Sequence, residues 1–311
     1  MRITQPGRII DGLDFLGTYE SCLYLLRGEQ AMVIGGGMSW IVPSLERQFE
    51  TMGLEPEKVR YVVILHSHFD HCGAVPYLKM RFPHIEVIAS AYAQKVLLKS
   101  NVINFIAAAN KQMVDRLGLQ KKHPSLNLDV HAIEVDRVVS ENDVVDLGDG
   151  VKVHFMQVPG HTQCSIEAYV PRLKALFPSD AAPFPIDGAI GLSYPSPQHS
   201  FSRYLESLRK MTALDVEMYA SEHHGAFAGD QAKTALTEGL RLAEEFQNRI
   251  VELYQQIGDV DRIANQISAK ERELNKLEFL SFDLDRMLAG TKAEVRNVLR
   301  HAGLLGDEED A

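Results

Sequence analysis

An α/β sandwich followed by a helical extension is the fold class this sequence predicts, and three observations carry the prediction. Short apolar runs of strand length alternate with stretches of helical periodicity up to about residue 229. From about Asp230 the pattern turns wholly helical. Residues of metal-ligating type stand at the ends of several predicted strands, where site residues on a layered sheet commonly lie.

The elements follow in order. "SCLYLL" and "AMVIGGG" are apolar runs joined by the turn-like "RGEQ", which predicts a hairpin. "VPSLERQFETMGL" spaces its apolar residues as a helix does and ends near a Gly. "VRYVVIL" reads as a strand buried on both faces. A short helix in "GAVPYLKMRF", a strand in "IEVIAS" and a helical stretch from Ala91 to Leu119, broken near Ser100, come next. "KVHFMQV", "IEAYV" and "ALFPSD" predict shorter strands, "SFSRYLESLRKM" a helix and "VEMYAS" a last strand. In the extension Leu236, Leu240, Ala243, Phe246, Ile250 and Leu253 recur three or four apart and form one apolar face. Further helices are predicted around 259–275 and 284–303, giving a division into 1–229 and a helical extension, 230–311, covering the active-site side.

Composition narrows the function. The 311 residues are 45% hydrophobic and 24% charged, enough for a substantial core. No apolar run approaches the roughly 18 residues of a membrane span, and "MRITQPGRIIDGLDF" lacks the apolar stretch of a signal peptide, so the cytoplasm is the expected location. Cys22, Cys72 and Cys164 are widely spaced with no CxxC pair, which argues against a disulfide framework and a thiolate zinc site. A net charge of −10 without a long Lys/Arg cluster argues against a nucleic-acid partner.

The chemistry is concentrated in "LHSHFDHCG", residues 65–73. His66 and His68 are one residue apart, so an extended backbone leaving the strand sends both imidazoles to one side. Asp70 and His71 follow where the chain turns toward a helix. Neutral imidazole with carboxylate suits Zn²⁺, Fe or Mn²⁺. These side chains would crowd one ion, so a pair of metals is the natural solution, with ligands from other strand ends and a bridging group. His161 in "PGHTQ", Asp180 in "FPSD", and His223 and His224 in "HHG" are the candidates.

HxHxDH, then GH, SD and HG after later strands, resembles the metallo-β-lactamase fold hydrolases, in order through residues 66–225. The resemblance implies an αββα sandwich. It implies that His66, His68 and His161 bind a first divalent ion, that Asp70, His71 and His224 bind a second, and that Asp180 bridges them. His224 is preferred to His223 because it directly precedes Gly225, and the family commonly has a small residue at the other position. "HFDHCGAVPYL", "RFPHIEVIAS" and "YLESL", with the helices beyond, look like the quinolone signal-response thioesterases, loosely over nearly the whole chain. That likeness implies a small-molecule acyl thioester or ester as substrate and a pocket roofed by the C-terminal helices.

Two cations lower the pKa of a shared water from 15.7 to about 7, supplying a hydroxide that attacks the carbonyl, with Asp70 positioning the water. Lactonase or glyoxalase-type hydrolysis shares the motif. A regulatory protein that binds a protein partner, with incidental hydrolysis, is the alternative from another class. Flavodiiron-like oxygen or nitric oxide reduction fits less well, because such relatives usually carry Glu where this chain has His68 and continue into a flavin domain. No GxSxG elbow supports serine catalysis. Cys72 and Cys164 read as small buried hydrophobes, and His84, His123, His131, His154, His199 and His301 as structural residues. "GGG" at 35–37 reads as a tight turn beneath the metal site. Phe105, Phe246, Tyr254, Phe279, Phe282 and Met287 are candidates to line an apolar acyl pocket.

Overall fold

A computed structural model of the chain describes residues 1–187, 191–275 and 284–306. Phe279 and Phe282 lie outside these residues. The strands are β1 (Arg2–Ile3), β2 (Gly7–Ile10), β3 (Leu13–Gly17), β4 (Cys22–Arg27), β5 (Ala31–Ile34), β6 (Val59–Val63), β7 (Glu86–Ser90), β8 (Arg137–Val139), β9 (Val144–Asp146), β10 (Lys152–Gln157), β11 (Ile166–Val170), β12 (Ala175–Phe177), β13 (Met218–Ala220) and β14 (Ala226–Ala228). The helices are α1 (Val42–Thr51), α2 (Val75–Arg81), α3 (Ala91–Leu97), α4 (Ser100–Leu117), α5 (Leu119–Lys122), α6 (Phe201–Met211), α7 (Asp230–Ile257), α8 (Val260–Asn275) and α9 (Leu284–His301).

The strands form two seven-stranded sheets, in the orders β2-β3-β4-β5-β6-β7-β8 and β1-β14-β13-β12-β11-β10-β9. Alternation within one strand explains why helices cover the outside of each. Along β4, Cys22, Tyr24 and Leu26 point between the sheets, while Leu23 and Leu25 point to the helix layer; Met32 and Ile34 of β5 divide from Ala31 and Val33 in the same way. The inter-sheet core is closed from the other side by Val153 and Phe155 of β10, Ile166 and Ala168 of β11, and Phe177. The result is an αββα sandwich.

Each outer face has its own cluster. Ile41, Leu45 and Phe49 around α1, Leu78 of α2 and Ile106 of α4 cover the first sheet. Leu205 and Leu208 of α6 and Leu236, Phe246 and Ile250 of α7 pack on Leu176, Tyr219 and Phe227 of the second. Val295, Val298 and Leu299 of α9 and Ile263 of α8 join that cluster, so the C-terminal helices share a core with the second sheet. None of the helices among the described residues is long and apolar enough to cross a membrane.

The break foreseen near Ser100 separates α3 from α4. Six strands, β1, β2, β3, β8, β9 and β14, were not foreseen. Most are short, and β3 carries Asp14, a residue depleted in strands, at 1% exposure. Its carboxylate is met by Arg8 at 2.5 Å and Arg27 at 2.6 Å from the neighbouring strands, which offsets the cost of burying it.

Candidate metal centre

The site lies where β6, β10, β12 and β13 end. At the end of β6 the chain continues extended through Ile64 and Leu65, and the Ile166 N–H donates to Leu65 O at 2.9 Å, tying the two sheets together beside the site. His66 to His71 then form a loop before α2. Asn110 of α4, fully buried, anchors it: Nδ2 donates to Phe69 O at 3.0 Å, and Oδ1 accepts from the Ser39 N–H at 2.7 Å. The glycine run Gly35–Gly37 packs behind this loop. Gly73 N–H donates to Gly37 O at 2.6 Å, and a Cβ on Gly36 would stand 2.5 Å from His71 O. Only glycine lets the backbones approach so closely.

Three overlapping groups converge: His66, His68 and His161; His66, His71 and Asp180; and Asp70, His71 and His223. Within each, the ligand atoms lie within 4.8 Å of one another. Asp180 stands at the junction. Its Oδ2 is 3.2 Å from His71 Nε2, 3.6 Å from His161 Nε2 and 3.8 Å from His66 Nε2, while Oδ1 is 3.7 Å from His223 Nε2. Asp70 Oδ2 lies 3.3 Å from His71 Nε2 and 3.6 Å from His223 Nε2.

The outward nitrogens of His66, His161 and His223 are hydrogen-bonded, which decides what those rings turn inward. His161 Nδ1 donates to Ser196 O at 2.8 Å and His223 Nδ1 to Glu20 O at 2.9 Å, since a carbonyl can only accept. Ser179 Oγ donates to the Glu222 carboxylate and therefore accepts from His66 Nδ1, 3.0 Å away. His71 Nδ1 faces Glu222 Oε2 at 3.1 Å. Each ring thus turns Nε2 toward the centre, the arrangement outer partners impose on metal-ligating histidines. His68 presents Nδ1 instead, 3.0 Å from His161 Nε2. His66 Nε2 and Asp180 Oδ1 are buried without a hydrogen-bond partner, which is costly unless a cation satisfies them. The residues present fit a metal centre.

Electrostatics agree with that fit. Burial pushes the His66, His68 and His161 rings below the usual imidazole value, His68 to about 3, so all three are neutral ligands. Burial raises the Asp70 and Asp180 carboxyls, but the adjacent His71 and His223 outweigh it and hold Asp70 at about 2 and Asp180 well below the ordinary range. Burial would also lower His71 and His223. The carboxylates of Asp70, Glu222 and Asp180 around His71, and of Asp180 beside His223, reverse that and raise both. The Nε2 atoms of these two rings lie 3.1 Å apart, so one carries a hydrogen that the other accepts, and an incoming cation must displace it. Metal affinity is therefore expected to weaken as pH falls below the raised pKa of this pair, by up to about tenfold per unit for each displaced proton. Competition with a chelator at several pH values measures it, and a flat profile would contradict the assignment.

The structure departs from the sequence reading at one position. His223, not His224, faces the cluster. His224 has a left-handed backbone (φ 57°), which turns its side chain away from the centre. Its Nδ1 donates to Pro185 O at 3.1 Å, and its ring stacks on Tyr19 with centroids 4.6 Å apart and planes 2° apart. Gly225 (φ 88°) lies against β1, where a Cβ would stand 2.0 Å from Ile3 O. The glycine that suggested His224 is thus required by packing, not by a ligand beside it. His66, His68, Asp70, His71, His161 and Asp180 are brought together as expected.

Sequence reasoning missed Glu222, 2% exposed and bridging Ser179 and His71. The available signal was an acidic residue directly before "HHG" at the end of an apolar strand. Glu222→Gln keeps the shape but removes the charge that orients His71. It is expected to weaken metal binding by roughly 10- to 100-fold, as outer-partner substitutions do, which metal titration would test. The cysteines stay outside the cluster. Cys72 Sγ donates to His68 O at 3.1 Å with its thiol pushed up by burial, and Cys164 Sγ lies 3.3 Å from Ser67 Oγ.

Above the cluster opens a cavity of about 820 Å³. Phe69, Val102, Phe105 and Ile106 give it an apolar wall, and α9 contributes Arg286, Met287, Thr291 and Glu294. Of the expected lining residues, Phe105 and Met287 line it; Phe246 is buried in the core under α7, and Tyr254 packs against that core.

The sequence pattern of the metallo-beta-lactamase superfamily matches residues 17–223. The chain is 24% identical over 225 residues to the metallo-beta-lactamase fold-containing protein ST1585 of Sulfurisphaera tokodaii, covering 70% of this chain and 77% of that one. The structure of the metallo-beta-lactamase family protein TTHA1429 from Thermus thermophilus superposes with a TM-score of 0.65 over 96% of each chain, at 17% identity. Rubredoxin oxygen:oxidoreductase of Desulfovibrio gigas superposes at 0.54, with 18% identity, 77% of this chain and 62% of that one covered. With two thirds of its length matched by one family pattern, the chain belongs to the metallo-beta-lactamase superfamily.

Proposed function

We propose that this protein is a dinuclear metal hydrolase of a thioester or ester with a small-molecule acyl substrate. The observation that carries the reading is the junction at Asp180: its carboxylate faces both histidine groups at the floor of a largely apolar cavity. His66, His68 and His161 would hold one ion, Asp70, His71 and His223 the other, with Asp180 between them. Zn or Fe, or alternatively Mn, suits this donor set. Such ions supply a hydroxide near neutral pH and polarise a carbonyl oxygen.

The chain's own residues do the rest. Asp70 accepts a hydrogen from the attacking water and fixes its direction. Glu222, Ser179, Ser196 O and Glu20 O hold the rings so that little reorganisation is needed. Phe69, Phe105 and Met287 exclude water and pack an acyl chain. The sequence likeness to quinolone signal-response thioesterases favours a thioester. His68, where oxygen-reducing relatives usually carry Glu, favours hydrolysis over redox chemistry.

The test loads metal-free protein with Zn, Fe or Mn, counts bound ions, and screens acyl thioesters, esters, lactones and phosphodiesters. Two ions per chain and turnover of thioesters or esters are expected. Fewer than two ions, or no hydrolysis with any of the three metals, would remove the reading. Turnover confined to lactones would move the substrate class and leave the chemistry.

A further inference from the structure

The cavity has a second pole that the hydrolytic reading does not use. Helix α9 runs along it from Arg286 to Glu294, eight residues or roughly 12 Å. At one end the Arg286 guanidinium lies over the Phe105 ring, 3.3 Å from its centroid. At the other, Glu294 is 3% exposed; its Oε1 accepts from Ser196 Oγ at 2.5 Å, and its Oε2 has no hydrogen-bond partner. Ser196 is also the residue whose carbonyl accepts from His161 Nδ1, so this carboxylate sits beside the metal cluster. Glu271 of α8 lines the same cavity and accepts from Thr291 Oγ1 at 3.3 Å, one helical turn before Glu294.

We propose that Glu271 and Glu294 form a subsite for an organic cation, a substituted ammonium group carried by the substrate. This rests on the cavity being the substrate site of the proposed hydrolase. Two carboxyls facing one space, one of them, Glu294, buried with an oxygen unpartnered and the other, Glu271, half-buried, need either a shared proton or a positive charge between them. Among the residues whose side chains are described, no ion pair links a Lys or Arg to either. Burial pushes Glu294 up to about 7 against the hydrogen bonds of Ser196 and Gln198, and burial with the Glu294 charge raises Glu271 well above the carboxylate range. Both shifts are what a carboxyl pair lacking a counter-cation shows. A metal ion is a poorer occupant: two carboxyls, each already holding a hydroxyl, supply few donors in a wide space. An ammonium group needs only diffuse negative charge within a roomy wall.

The test compares choline with 3,3-dimethylbutan-1-ol, its uncharged isostere, by calorimetry on the full chain, metal-free and metal-loaded. Choline is expected to bind at least about tenfold more tightly. Glu294→Gln and Glu271→Gln should each erase that preference while the isostere binds as before, with thermal unfolding run beside them. Equal affinity of the unsubstituted protein for the two probes overturns the proposal without any variant. So does a preference that both variants retain, or weaker binding of both probes together, which a purely structural role of the carboxyls would give. Choline esters and thioesters against their 3,3-dimethylbutyl counterparts form the kinetic arm. Choline preference without hydrolysis of any ester would sink the hydrolase reading alone; hydrolysis without charge preference would sink this one alone.

Discussion

Replacing Asp180 with Ala is expected to lower hydrolysis by on the order of 10³-fold or more. Losing a charge-stabilising metal position costs several kcal/mol in the transition state, and each 1.4 kcal/mol is about tenfold. The size follows from placement: the Asp180 carboxylate is the one group that faces His66, His71, His161 and His223 together. The same variant removes the negative charge that raises His223 and helps raise His71, so both rings should titrate lower in the metal-free protein, as NMR of the imidazole protons would register. Metal content and turnover should fall in parallel. Retained turnover with two ions bound would mean that Asp180 does not join them. A regulatory effect in cells that survived this substitution while hydrolysis vanished would move the main role from catalysis to partner binding.

The layers of the fold were legible because period-two patterning divides β4 and β5 between two cores, and a strand apolar on both faces needs cover on both. The strands that escaped notice are those where pairing, not pattern, makes the structure. β14 is Ala-Phe-Ala between β13 and β1, and β3 holds a buried Asp14 that only Arg8 and Arg27, brought across the sheet, make tolerable. In the site, residues of "HSHFDH" were legible because ligand identity and spacing survive in one dimension. Glu222, Ser179 and Asn110 were not, because their roles depend on neighbours 41 or more positions away, as in the Asn110–Phe69, Ser179–Glu222 and Ser39–Asn110 hydrogen bonds. The His223–His224 choice failed for a narrower reason: adjacent side chains leave the backbone in different directions, and only the dihedral angles say which points inward.

That choice yields the second large effect. His223→Ala should abolish binding at the group formed with Asp70 and His71, leaving at most one ion per chain, with hydrolysis falling by on the order of 10²- to 10³-fold. His223 Nε2 is 3.1 Å from His71 Nε2, and nothing else in that group occupies its place, so neither a neighbouring rotamer nor His224 can substitute. His224→Ala removes a stacked ring and one hydrogen bond, at an expected cost of roughly 1–3 kcal/mol in stability. It should leave the ion count unchanged, because the His224 ring faces Tyr19 and Pro185 rather than Asp70. Burial holds the His224 ring at about 4, so it is uncharged at neutral pH and its removal takes no positive charge from beside the site. Metal analysis of the two variants separates the assignments cleanly. Two ions in His223→Ala and one in His224→Ala would restore the reading that the glycine in "HHG" first suggested.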